Sequence, residues 1–98
     1  MRTMLKVTID VEAGSKAIQT GELPQIIAKL SEQIKPEAAY FGAYHGERAG
    51  YFVFDMTDSS NMPVWFEPLF MKLKAKVEVM PIMSQSDLEK GMMALMQS

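Results

Sequence analysis

His45 is the only histidine in this chain, and so the only side chain that changes charge near neutral pH without a large environmental shift. It stands in the run His45-Gly46-Glu47-Arg48, between two apolar segments. Two readings compete for it: a proton-transfer group at the edge of a site, or a solvated turn residue of the kind loops commonly carry. Asp10 and Glu12 are the other acid–base candidates. Either carboxylate becomes a general base if it is buried beside Tyr40, Tyr44 or Tyr51, because burial raises its pKa toward a useful range. The competing reading gives Asp10 an ion pair with Lys76 and Glu12 a place at a helix start. Asp10 and His45 are the two residues singled out as candidate catalytic groups.

Composition closes several other chemistries. The chain has no cysteine, which excludes disulfides, thiolate metal sites and cysteine nucleophiles. A histidine without a companion argues against a metal centre. There is no Gly-rich phosphate loop and no dinucleotide fingerprint, so no cofactor is expected. The net charge is −2, with Lys and Arg scattered, so neither nucleic acid nor an anionic membrane is an expected partner. No apolar run approaches the roughly 20 residues that span a bilayer, and Met1–Lys6 does not read as a secretory leader. The expected location is the cytoplasm.

At 98 residues, with 48% apolar and 22% charged residues, the chain suits a single domain over residues 1–98. Met4–Val11 alternates, with Leu5, Val7, Ile9 and Val11 on one face, as a half-buried strand does. Leu23, Ile26, Ile27, Leu30 and Ile34 then recur at helical spacing. This predicts a short helical turn over Ser15–Gln19 and a main helix over Glu22–Ile34, or one kinked helix. Ala38–Tyr44 and Tyr51–Met56 read as a hairpin whose connection holds Gly46 and Gly50. Asp58-Ser59-Ser60-Asn61 offers caps for a helix carrying Met62, Trp65, Phe66, Leu69 and Phe70, which Pro68 should shorten or kink. Ala75–Met83 alternates again. Ser84-Gln85-Ser86-Asp87 resembles a capping box before Leu88, Met92, Leu95 and Met96.

The fold class expected is α+β: a ferredoxin-like βαββαβ unit with an antiparallel four-stranded sheet and a C-terminal helix. Two right-handed βαβ units joined by a hairpin give the strand order 4-1-3-2, with the first two helices on one face. Placing Val7, Ile9, Phe41, Ala43, Phe52, Phe54, Val77 and Val79 toward the helices leaves a mixed second face. That face carries Lys6, Thr8, Asp10, Tyr40, Gly42, Tyr44, Tyr51, Val53, Asp55, Lys76, Glu78 and Met80. All three tyrosines fall on it. Tyrosine suits a surface that is covered without being dry. Asp10 is expected near Lys76 and Lys6 near Asp55, as cross-strand pairs of opposite charge. The expected partner is therefore a second copy of this chain, closing on the open sheet face.

Gly50-Tyr51-Phe52-Val53-Phe54-Asp55, then Pro68-Leu69-Phe70 and an alternating last strand, resemble muconolactone isomerase and its relatives. These belong to the dimeric α+β-barrel superfamily, which also holds cofactor-independent monooxygenases of the antibiotic-biosynthesis type. The resemblance implies a small bacterial homodimer with two sheets closed face to face, the C-terminal segment reaching toward the partner. Catalytic residues do not match position by position, so no isomerase chemistry is carried over.

Trp65, Phe66 and Phe70 line a pocket in one reading and are plain core in the other. Of ten methionines, Met92, Met93 and Met96 cluster near the C-terminus, suited to an adaptable contact with a partner or to gap-filling. Arg48–Phe54 is similar to an RNA-recognition signature, but the spacing misses by one residue and the basic footprint is lacking. Two functional readings remain. In one, a small aromatic or lactone-like molecule sits among Tyr40, Tyr44, Tyr51, Trp65 and Phe66, with Asp10 or His45 handling a proton and no cofactor. In the other, the dimer's interior is packing alone.

Overall fold

The computed structural model describes residues 1–98, in the order β1 (Arg2–Ile9), α1 (Val11–Gln19), α2 (Glu22–Ile34), β2 (Ala38–Tyr44), β3 (Glu47–Asp55), α3 (Met62–Leu73), β4 (Lys76–Pro81) and α4 (Gln85–Gln97). The strands form one antiparallel sheet in the order β2-β3-β1-β4. This α+β arrangement follows the ferredoxin-like order, with the first crossover split into two helices and a fourth helix appended. None of the helices is long and apolar enough to cross a membrane.

Helices α1, α2 and α3 cover one face. Leu5, Val7 and Ile9 of β1 and Phe52 and Phe54 of β3 pack there against Leu30 and Ile34 of α2 and Trp65, Phe66, Leu69 and Leu73 of α3. These side chains form a single core, and Leu5, Phe52 and Leu73 are fully buried. Burying each contributes about 1.5–3 kcal/mol. Trp65 packs edge-on against Phe54 at 5.5 Å between ring centroids.

Several element ends differ from the sequence reading. Strand β1 runs from Arg2 to Ile9, two residues earlier than the alternation predicts, because Asp10 stops it and starts a helix. The Asp10 carboxylate accepts a hydrogen bond from the Ala13 amide at 3.0 Å, satisfying one of the amides a helix start leaves open. Val11 is therefore the exposed first residue of α1 instead of a core strand position. Helix α1 spans nine residues, longer than the turn expected over Ser15–Gln19. Gly21 at φ 80° separates it from α2, a backbone state that costs glycine little.

The hairpin connection is only His45-Gly46, since β3 begins at Glu47. Both residues have positive φ, 50° and 79°, the signature of a two-residue turn whose twist matches its strands. Helix α3 runs twelve residues through Pro68, so the proline does not shorten it. Its missing amide would have bonded the carbonyl of Val64, which lies on the exposed side.

Helix α4 stands apart. Its capping box is present: the Ser84 hydroxyl accepts from the Asp87 amide, and the Asp87 carboxylate accepts from the Ser84 amide. Yet none of its residues is buried. The radius of gyration, 15.9 Å, exceeds the roughly 13 Å of a compact chain of about 100 residues. The molecule measures 56 × 28 × 17 Å.

Candidate functional site

Directly opposed residues in an antiparallel ladder share a face, so the register fixes what the uncovered side of the sheet presents. Tyr40 of β2 lies opposite Tyr51 of β3, which lies opposite Lys6 of β1, which lies opposite Glu78 of β4. The next row toward the hairpin is Gly42, Ala49, Thr8 and Lys76. On the other side of the tyrosine row lie Ala38, Val53, Met4 and Met80. The three tyrosines thus share the uncovered face, with Tyr40 70% exposed and Tyr44 41%.

The centre of that face is low, built from Gly42, Ala49 and Thr8, and longer side chains lean over it. The Lys6 ammonium sits 3.0 Å from the centroid of the Tyr44 ring, a cation–π contact of about 0.5–1 kcal/mol at an exposed site. The Tyr44 ring also meets His45 edge-on at 4.1 Å. Lys76 reaches Glu47 at 3.6 Å. Thr8 and Ala49 are buried even within one chain.

The two expected ion pairs are replaced by these contacts. Asp10 faces into the first turn of α1 to cap it, and Lys76 takes Glu47 in its place. Because β1 starts at Arg2, Lys6 is mid-strand and opposite Tyr51, while Asp55 lies opposite Arg2 and binds the N-terminal ammonium at 2.6 Å. The register, and not the charge pattern alone, decides who meets whom.

The sheet also divides the proposed ligand-binding set. Tyr40, Tyr44 and Tyr51 are on the uncovered face, while Trp65 and Phe66 are buried in the helix-side core. Within one chain these five do not line a common pocket. His45 lies at the mouth of the hairpin, against Tyr44, and Asp10 is at the neighbouring end of β1. Both candidate catalytic groups therefore sit at the hairpin end of the sheet. None of the five main surface hollows touches Tyr40, Tyr44 or Tyr51. In the isolated chain the tyrosine face is an open floor without walls.

Two features of the arrangement go beyond the sequence reading. The Lys6–Tyr44 contact spans two strand spacings, and its only sequence signal is the absence of bulk at Ala49 and Gly42 between them. Arg48 lies on the helix side, its guanidinium donating to the Val11 carbonyl and the Ser15 hydroxyl, each at 3.2 Å. A Cβ on Gly14 would come within 2.8 Å of that guanidinium, so glycine there lets Arg48 tie the hairpin to α1.

No model of a known protein family matches this chain, and no curated protein aligns with it significantly.

Proposed function

We propose that the protein works as a homodimer closed through the tyrosine face of its sheet, and that the resulting chamber binds a small aromatic or lactone-like molecule. The observation that carries this reading is the composition of the uncovered face. A sheet with one covered side normally turns charged and polar residues to water on the other. Here that side holds Tyr40, Tyr44, Tyr51, Met4, Val53 and Met80 beside its charges. Such a mixture, an apolar body with polar tips, characterises surfaces that meet a partner. A second copy facing it would supply the walls that the floor lacks.

In that chamber the phenol groups and the Lys6 ammonium would orient a ligand's oxygen atoms, and the rings would stack on its body. His45 and Asp10, at the hairpin end, would handle a proton, Asp10 at the expense of the α1 cap that its carboxylate makes. This rests on position and on the resemblance to dimeric α+β-barrel enzymes. It assigns no reaction.

A second reading is a dimer whose interior is packing alone. It is favoured by the pairing of Lys6 with Tyr44 and of Lys76 with Glu47, which leaves both ammonium groups partnered before any ligand arrives. Titration with phenol and with γ-butyrolactone, followed by amide shifts in NMR spectra, separates the two. Saturable shifts at Tyr40, Tyr44 and Tyr51 support the chamber. A dimer whose spectrum neither compound moves leaves the packing reading.

A further inference from the structure

Strand β2 is an edge of the sheet with no strand beside it on its outer side. It reads Ala-Ala-Tyr-Phe-Gly-Ala-Tyr, without a charge or a proline, and every residue after Ala38 is exposed. Tyr40 is 70% exposed on one side of the sheet and Phe41 62% on the other. A free edge is a row of unpaired amides and carbonyls open to another strand, and proteins commonly guard it with charge or proline. The opposite edge, β4, is guarded in that way by Lys76, Glu78 and Pro81. Beside β2 even the flanking carboxylates are engaged elsewhere: Glu37 holds Arg2 at 2.6 Å and Glu47 holds Lys76 at 3.6 Å.

The groups that β2 offers follow from its hairpin. A tight turn is closed by a bond between its flanking residues, here Tyr44 and Glu47, and bonded and unbonded pairs alternate along the ladder from there. Ala38, Tyr40, Gly42 and Tyr44 therefore direct their main-chain groups to β3. Ala39, Phe41 and Ala43 direct theirs out from the edge.

We propose that β2 pairs antiparallel with β2 of a second copy, about a two-fold axis at Phe41, and joins two four-stranded sheets into one. The face-closed homodimer uses the side chains of the open face. This contact uses the main chain of the edge, and it forms between single chains or between face-closed dimers.

Three features set the axis and the register. First, the outward groups are symmetric about Phe41. With Phe41 opposite Phe41, Ala39 meets Ala43 on both sides, and the three pairs exchange about six main-chain bonds. A slip of two residues in either direction leaves about four. Second, the side chains fit. On the open face Tyr40 lies opposite Gly42 and Tyr44 opposite Ala38, a ring against a small residue in each pair. On the helix side the two Phe41 rings meet, and aromatic cross-strand pairs are favourable. Third, the pairing closes. It covers both β2 edges and leaves only the β4 edges, whose Lys76, Glu78 and Pro81 resist a further strand. The same patch is used on both copies, so the assembly stops at two.

A strand of seven residues is about 23 Å long, and a contact of that size falls below the roughly 1,200 Å² of a stable specific interface. The pairing is therefore weak and builds up in the high micromolar to millimolar range, above the concentrations at which the face-closed dimer is sought.

The chain has no cysteine of its own, so the register is directly testable. Phe41→Cys and Ala43→Cys are prepared as single variants, both at exposed positions, and oxidised mildly at high concentration. In the proposed pair the two residues 41 lie about 5.5 Å apart between Cα atoms, a separation that suits a disulfide, whereas the two residues 43 are about 13 Å apart and out of reach. The expected result is roughly tenfold more covalent dimer from Phe41→Cys than from Ala43→Cys. Sedimentation equilibrium reads the parent without substitution: its mass should double over the low-micromolar value as concentration rises. Phe41→Pro, which removes an outward amide and suits an edge strand, should prevent the doubling. Equal cross-linking of the two cysteine variants overturns the pairing, as does a parent mass that concentration does not change. A mass that climbs past a doubling shows open-ended strand addition and overturns the closed pair. The mass at low micromolar concentration reads the face-closed dimer separately, so either contact can fail while the other stands.

Discussion

Replacing Tyr40 by alanine isolates the open face from the fold. Tyr40 is 70% exposed in the single chain, so its ring contributes little to the stability of the monomer. In a dimer closed on this face the ring is covered. Removing about 100 Å² of buried carbon surface at about 25 cal/mol per Å² costs about 2.5 kcal/mol. A two-fold interface uses the same patch twice, so the dimer loses about 5 kcal/mol, which is more than a thousandfold in Kd. The assay is sedimentation equilibrium of both proteins over a wide concentration range, with circular dichroism to show that the variant stays folded. A folded Tyr40→Ala protein whose dimer Kd moves less than tenfold refutes the reasoning, because the ring would then face water in the assembly as well.

Other outcomes follow from single contacts. Asp10→Ala should lower stability by about 0.5–2 kcal/mol through loss of the α1 cap, whereas Asp10→Asn, an equally good cap, should match the parent in thermal unfolding. A destabilised Asn variant would show that the charge, and not the cap, matters. His45 sits at φ 50° before Gly46, where asparagine is the preferred residue, so His45→Asn should leave stability unchanged or raise it, while His45→Val should lower it. Denaturant midpoints decide between the two. The amide and hydroxyl of Ser84 hold the Asp87 carboxyl below its ordinary value of 3.8. A carboxyl lowered in the folded state supports the fold above its unfolded pKa and loses that support as pH falls through the folded one. Circular dichroism should therefore show α4 unwinding below about pH 4, a loss that Asp87→Asn brings to neutral pH.

Much of the architecture is legible in the sequence because period-2 and period-3.6 patterns report burial directly. The four strands and the main helix over Glu22–Ile34 follow from that signal, the capping box from the residue types at Ser84 and Asp87, and the strand order from right-handed crossovers joined by a hairpin. The errors arose where a residue serves two patterns. Val11 continues the alternation of β1, but Asp10 caps a helix, and the cap wins because an open helix start leaves amides unsatisfied. The six-residue connection read between Tyr44 and Tyr51 hides a two-residue turn, since histidine at positive φ gives a weaker signal than asparagine.

The candidate site was legible only in part. Alternation put the three tyrosines on one face, and the ladder keeps them there. It could not tell which charges meet, because a pairing such as Lys76 with Glu47 depends on where both strands begin. The same reading already set Trp65, on a crossover helix, across the sheet from the tyrosines, so grouping them in one ligand site conflicted with it. Phe41 and the apolar stripe of α4 follow the expected periodicity, yet the chain itself leaves both uncovered.

The central claim is the homodimer, and light scattering coupled to size exclusion at low micromolar concentration tests it most directly. The account predicts a species of twice the 11.0 kDa chain mass, which Tyr40→Ala converts to folded monomer. A parent protein that runs as a monomer across that range would leave the tyrosine face open to water and contradict the account.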